Sequence, residues 1–139
     1  YKITVKSSSL DEDIEAVYFG NYTVKDGKKY IIYKEYEEGS AQNYSLCIIK
    51  VENENKVTLT KNKKGQSKII LEKAMRHYSP YYTDIGSITL SVYTHGIEDN
   101  LSEFGGELGV RYSISVNGSL VNNIEITVLA EKIEKKQED

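Results

Sequence analysis

Apolar and polar residues alternate along most of this chain, which is the pattern of strands that bury one face. The alternation is clearest late in the sequence, where Ile88, Leu90 and Val92 fall on one face and Thr89 and Ser91 on the other. A period of two places successive side chains on opposite sides of a sheet. Two later segments repeat the pattern, with apolar positions at Leu108, Val110, Tyr112, Ile114, Ile124, Ile126 and Val128. We therefore expect antiparallel strands with one face in a core and the other in solvent.

Turn signals join these alternating segments into hairpins. Asp26-Gly27 and Asn117-Gly118 each lie between alternating runs, and such pairs adopt the positive backbone angles of a tight turn at little cost. Looser polar turns are expected at residues 52–55 and 63–65. The pattern predicts nine strands, at about residues 1–7, 13–25, 28–37, 43–51, 56–62, 67–73, 86–95, 107–116 and 119–133.

Regular spacing of this kind indicates a sandwich or a barrel. Eight or nine strands with one wet face are best closed into a barrel, because closure pairs the first strand with the last and removes exposed edges. We predict an all-β fold, a closed antiparallel up-and-down barrel that forms a single domain over residues 1–139. At most one short helix is expected, at IEDNLSEF (residues 97–104), ended by Gly105-Gly106.

Composition agrees with strands and argues against several classes of protein. The chain has twelve Tyr, one Pro and no Trp, with Ile and Val throughout, as half-buried pleated surface prefers. Hydrophobic residues make up 39% of the chain and charged residues 28%, as in a globular protein. The chain has no apolar stretch of membrane-spanning length. A net charge of -3 disfavours binding to nucleic acids, whose phosphate backbone is negatively charged. We expect neither a nucleic-acid nor a membrane partner.

Cysteine and histidine offer little chemistry. Cys47 is the single thiol and lies in the apolar run SLCII, which predicts a buried, unreactive side chain. One cysteine suits a cytoplasmic protein, although a start at Tyr1 rather than Met leaves room for a removed signal peptide. The two histidines, His77 and His95, have no partner at metal-ligand spacing. We therefore predict no metal site and no cofactor.

Three stretches resemble the YwiB-like family of small bacterial proteins, and the likeness extends over nearly the whole chain. They are YTVKDGKKYIIYKEYEEG at 22–39, MRHYSPYYTDIGSITLSVYT at 75–94 and LGVRYSISVNGSLVNNIEITV at 108–128. The most specific elements are Tyr33 and Glu35, the Tyr82-Thr83-x-x-Gly86 motif, and the strand of Tyr112 with its Asn-Gly hairpin. The family is a domain of unknown function grouped with the calycins. The resemblance therefore implies a lipocalin-like barrel in a bacterial, cytoplasmic protein, and it supplies no activity.

Glu35 is the main candidate for a functional side chain. Ile31, Tyr33 and Glu35 share one face of a strand, so an inward Ile31 implies an inward Glu35. A buried carboxylate needs a cation or hydrogen-bond donors, and Arg76 is the expected partner because it shares a segment with Tyr82. Alternatively, Glu35 lies at the barrel rim, pairs with a lysine or with water, and fixes strand register.

Three functions remain open at the level of sequence. The first is a non-catalytic module that takes a small, partly apolar ligand into the barrel, which at about eight strands has room for one. Its expected contacts are Tyr33, Glu35, Arg76, Tyr82, Thr83 and Tyr112. The second is a protein-interaction or assembly module with a filled core. The third is an enzyme in which Glu35 acts as general acid or base. Of the three, catalysis is the function that we expect least.

Overall fold

The chain folds into ten antiparallel strands. The structure, a computed structural model, describes residues 1–10, 12–37, 39, 42–62, 66–83, 86–116 and 118–133, with the backbone alone at 81–83. The strands are β1 (Lys2–Ser8), β2 (Asp13–Lys25), β3 (Lys28–Tyr36), β4 (Tyr44–Asn53), β5 (Lys56–Asn62), β6 (Gln66–Glu72), β7 (Arg76–Thr83), β8 (Gly86–Ser102), β9 (Gly105–Val116) and β10 (Ser119–Glu131). Within the described residues no helix is long and apolar enough to cross a membrane.

All ten strands belong to one sheet that curls into a nearly closed barrel. Their order is β6-β5-β4-β3-β2-β1-β10-β9-β8-β7. The first and last strands of the chain pair with each other over Lys2 to Ser8, as closure of the barrel predicted. The seam lies between β6 and β7, where Lys73 forms a single parallel bridge to Thr94 of β8. The predicted all-β barrel is therefore confirmed, with its seam in the middle of the sequence.

Strand β7 is the element that the sequence pattern did not predict. It pairs with β8 from Arg76 opposite Tyr93 to Thr83 opposite Gly86. The segment contains Pro80, and proline is uncommon within strands because it has no N–H to donate to a ladder. The structure accommodates Pro80 because β7 is at one end of the sheet order and has a ladder neighbour on one side only.

The short helix expected at residues 97–104 is wrong, because β8 continues as a strand to Ser102. A register shift between Thr94 and Gly96 interrupts the alternation that would otherwise indicate a continuous strand. Before the shift the even residues, such as Val92, face the interior, and after it the odd residues, such as Leu101, do so. An extra residue in one strand of a pair has this effect on the alternation.

The two turn signals join the expected strands. Asp26 and Gly27 have φ angles of 54° and 75° and connect β2 to β3. Gly118 has a φ of 79° between β9 and β10, while its neighbour Asn117 lies outside the described residues.

The barrel interior has two unlike ends. We call the end with the turns β2–β3, β4–β5 and β8–β9 the packed end, and the end with the turns β1–β2, β3–β4 and β9–β10 the open end. The largest fully buried side chains are Ile3, Ile31, Leu71, Leu108, Val51, Val57, Val92, Val128 and Thr94. Partly buried apolar residues pack against this core, and those towards the open end are Val5, Tyr18, Leu59, Ile69, Ile114, Val116, Ile124 and Ile126. The fully buried core therefore lies away from the open end, where these inward apolar side chains are only partly buried.

Candidate functional site at the open end

Two inward-facing apolar side chains at the open end are only half buried. Ile14 and Ile88 lie on the inner face and are 51% and 43% exposed. Ile14 lies opposite Ser7 of β1, and Ile88 precedes the buried Leu90 on the same face of β8. Burial of an isoleucine side chain is worth roughly 1.5–3 kcal/mol, so half-exposed inward isoleucines leave part of that stabilisation unused.

Tyr33 and Glu35 both face the interior, as the shared face with Ile31 predicted. Tyr33 is buried, and its ring stacks on that of Tyr18 at a centroid distance of 4.5 Å. Burial, and after it the neighbouring Cys47, raises the pKa of Tyr33 above the usual tyrosine value. The Tyr33 hydroxyl is therefore neutral at physiological pH and can donate or accept a hydrogen bond.

Lys61 is the partner of Glu35. Its Nζ lies 3.0 Å from Oε1 of Glu35, and the two side chains are 44% and 40% exposed. Lys61 lies directly opposite Cys47 across β4 and β5, so it shares the inner face. The sequence itself indicates an inward Lys61, because Lys61 follows the inward Val57 and Leu59 at a spacing of two.

The expected contact between Glu35 and Arg76 is wrong. Arg76 lies opposite Tyr93 on the outer face, donates a 2.6 Å hydrogen bond to Oγ of Ser91, and stands over the Tyr93 ring at 5.6 Å. The side chain is exposed. Position in the same sequence segment as Tyr82 does not bring Arg76 to the interior, because Arg76 lies on the outer face of β7, opposite the outward Tyr93.

The remaining expected contacts divide into two groups. Tyr112 faces the interior opposite Thr94 and Ile124 and is buried. Tyr82 and Thr83 lie in β7 opposite Ser87 and Gly86, and their side chains are outside the described part of the chain. Tyr33, Glu35 and Tyr112 are therefore the expected residues with described inward side chains.

Cys47 lies beneath the ion pair, in an environment that disfavours its thiolate form. Its Sγ is 3.8 Å from Oε2 of Glu35, and it is buried. Burial first, and then the negative charge of Glu35, raises the pKa of the Cys47 thiol to about 11. The thiolate is the nucleophile, so we expect slow reaction with thiol reagents. Among the described residues, no group of three or more His, Cys, Asp or Glu side chains could hold a metal ion.

The open end thus combines apolar surface with one charged pair at its rim. Isoleucine and valine side chains from β8, β9 and β10 face a wall formed by Tyr18, Tyr33 and Leu59. The Glu35–Lys61 pair lies on that wall and offers one acidic and one basic group to solvent. Such an arrangement suits noncovalent binding of a molecule with an apolar body and a polar end.

Comparison with known proteins agrees with the resemblance found in the sequence. A family described as a domain of unknown function (DUF1934) matches residues 2–128. The crystal structure of the ywiB protein from Bacillus subtilis is similar, with a TM-score of 0.77 and 26% identity over 94% of this chain and 91% of that chain. No curated protein matches the sequence. The comparisons support the barrel and carry no activity.

Proposed function

The chain belongs to the DUF1934 family of domains of unknown function, and we propose that its barrel is a non-catalytic module that binds a small, partly apolar molecule at the open end. The observation that carries the proposal is the exposure of Ile14 and Ile88 on the inner face. A soluble barrel without a ligand to accommodate gains by filling its interior with side chains. Among the described residues, inward side chains are fully buried towards the packed end, whereas Ile14 and Ile88 at the open end are half exposed.

The polar wall sets the orientation of the ligand. The ammonium group of Lys61 and the hydroxyls of Tyr18 and Tyr33 lie on the same side of the opening as the Glu35 carboxylate. A ligand that inserts its apolar part among the isoleucines would meet this wall with its polar end. We extend the proposal to a calycin-like mode of binding, in which the ligand enters the barrel mouth, and to a bacterial, cytoplasmic protein.

We assign Glu35 an electrostatic role instead of that of a general acid or base. One of its oxygens is held by Lys61 at 3.0 Å, and the carboxylate is open to water. A general acid at neutral pH usually sits in an apolar pocket away from cations, which keeps it protonated. The ion pair therefore supports binding more than catalysis.

A second candidate function rests on the outer face of β2. Phe19 is 71% exposed, and Val17 lies on the same face two residues earlier. Exposed apolar side chains on a sheet occur at protein interfaces, so a protein-interaction module remains the alternative. The two functions differ in which face of β2 matters.

Neighbouring substitutions on β2 separate these functions. Ala16 faces the interior opposite Val5, whereas Val17 faces outward opposite Thr4. Phenylalanine at position 16 would fill the open end, and phenylalanine at position 17 would enlarge the outer face. The measurement is native mass spectrometry of gently purified wild type, Ala16→Phe and Val17→Phe, each checked for folding by thermal melting.

We expect the wild type and Val17→Phe to carry the same small molecule and Ala16→Phe to have lost it. Retention by Ala16→Phe, or a wild type that carries nothing and binds no hydrophobic fluorescent probe such as anilinonaphthalene sulfonate, would contradict the proposal.

A further inference from the structure

A second concave site lies on the outer wall of the barrel, beside the β1–β2 turn. It is a groove of about 480 Å³ between the β1–β2 turn and strands β8, β9 and β10. The polar and apolar residues that matter here are Ser9, Leu10, His95, Arg111, Asn123 and Glu125. This volume lies within the range of roughly 300–1,000 Å³ that is usual for small-molecule sites.

The Arg111 side chain lies over Gly96 and points away from Glu125, its neighbour on β10. Glu125 lies directly opposite it on β10, yet within the described part of the chain the Arg111 guanidinium forms no salt bridge and no hydrogen bond. The side chain turns the other way, across β8, where a Cβ on Gly96 would lie 2.8 Å from Nη2. The absence of a side chain at Gly96 therefore makes room for the guanidinium and leaves its donors available.

The register shift in β8 places His95 beside Arg111. His95 falls between Thr94 and Gly96, where the shift occurs, and its side chain lies on the outer surface. Irregularities of this kind re-aim a side chain and are frequent beside functional sites. The same local feature thus provides both the glycine that accommodates Arg111 and the imidazole next to it.

A hydrogen-bond chain fixes the other polar groups. The Oγ of Ser113 donates to Oδ1 of Asn123 at 2.5 Å and lies 2.6 Å from Nε2 of His95. Because the single hydroxyl proton of Ser113 points to Asn123, Nε2 of His95 is the donor in its own contact. The Nδ2 amide of Asn123 then keeps two donors for a ligand. Ser113 does not donate its proton to His95, as a serine nucleophile would donate it to a histidine base.

We propose that this groove binds a small organic oxyanion, with Arg111 as the main anchor and Asn123 as an additional donor. A guanidinium binds the two oxygens of a carboxylate or a phosphate side by side. Glu125 lines the groove and accepts hydrogen bonds from hydroxyl or amino groups elsewhere on the ligand. Leu10 contributes exposed apolar surface from the β1–β2 turn. The site is independent of the proposed interior site, because these side chains lie on the outer face.

The test uses inorganic phosphate and acetate as separate probes. Proton NMR follows the imidazole signals of the two histidines, and His77, bound to Glu72 at 2.8 Å, serves as the internal control. Each anion is titrated at constant ionic strength, with chloride as the background salt. We expect saturable shifts at His95 and none at His77, and the anion that saturates at the lower concentration identifies phosphate or carboxylate as the preferred group.

Three variants test whether anion binding depends on Arg111. Arg111→Gln should weaken the anion by about tenfold, the expected loss for a charge-assisted hydrogen bond. Gly96→Ala keeps every charge but displaces the guanidinium, and it should weaken binding by about fivefold. Gly109→Ala is the matched control, since its Cβ would meet only Cβ of Glu98, at 3.8 Å, and it should change affinity by less than about twofold.

Equal affinities for Gly96→Ala and Gly109→Ala would overturn the proposal. So would equal shifts of both histidines, or the lack of saturation with either anion. Thermal melting of each variant shows that a loss of binding is not a loss of folding.

Discussion

The two ends of the barrel use the same alternating sequence and reach opposite results. Each has a lysine paired with an inward carboxylate. At the packed end Lys29 lies 2.7 Å from Asp99 and the side chains are 20% and 13% exposed, whereas Lys61 and Glu35 at the open end are about twice as exposed or more. At the packed end the Tyr22 hydroxyl donates a 2.6 Å hydrogen bond to the backbone carbonyl of Ser102, across the barrel, and helps to cover the core.

This contrast teaches that alternation specifies which face is inside but not how well the inside is covered. Ile31 at the packed end and Ile126 at the open end follow the same period of two. Ile31 is fully buried, whereas Ile126 is one of the partly buried residues at the margin of the core.

The largest expected effect compares truncations at the two ends. Ile31→Ala should lower the free energy of unfolding by about 3 kcal/mol, because it leaves a cavity in a packed core. Ile126→Ala should lower it by only about 1 kcal/mol, because solvent already reaches the site. Urea denaturation of the two variants measures the difference. Equal losses would mean that the open end is as well packed as the other.

The two ion pairs give the next effect. Asp99→Asn should cost about 2 kcal/mol in the free energy of unfolding, because it leaves Lys29 partly buried without its counter-charge. Glu35→Gln should cost about 0.5 kcal/mol or less, as is usual for exposed pairs. The measurement is again urea denaturation, with Glu52→Gln, which removes an acid near Lys50 and Lys56 on the surface, as the control. A larger loss for Glu35→Gln than for Asp99→Asn would reverse the assignment of the two ends.

The smallest effect concerns the Tyr22 hydroxyl. Burial first, and then the charge of Asp99, raises the pKa of Tyr22 to about 12. The unfolded chain releases this proton near pH 10, so the contribution is complete below pH 10 and is lost as pH rises towards 12. Tyr22→Phe should cost about 1 kcal/mol at neutral pH through the lost hydrogen bond to Ser102.

The check is the pH dependence of the melting temperature. The difference between wild type and Tyr22→Phe should narrow between pH 10 and 12. A difference that stays constant across this range would show that the hydroxyl is not held in its neutral form by the fold.

Much of the barrel could be predicted from local patterns, because strands and tight turns are encoded by adjacent residues. Nine strands, the inward faces and the pairing of β1 with β10 follow from alternation and from the advantage of removing edges. The sequence pattern failed where a local feature contradicts the global arrangement. In β7, Pro80 is a residue that is uncommon in strands. In β8, the register shift beside Gly96 reverses the alternation of inward and outward residues.

The candidate site was harder to predict, since it depends on contacts between distant residues. The inward direction of Glu35 followed from its spacing to Ile31, but its partner did not. Arg76 is near Tyr82 in the sequence only, whereas Lys61 reaches Glu35 through the pairing of β3, β4 and β5. The register of strands, and not sequence distance, decides such pairs.

The central claim is that the open end of the interior accepts a small molecule. Selective labelling of isoleucine methyl groups tests it most directly, because isoleucines occur at both ends and on the outer wall. On addition of anilinonaphthalene sulfonate, we expect the methyl signals of Ile14, Ile88 and Ile126 to shift with one saturation curve. Those of Ile3 and Ile31 at the packed end should remain in place. Shifts confined to outward residues such as Ile32, or no saturable shift at all, would contradict the claim.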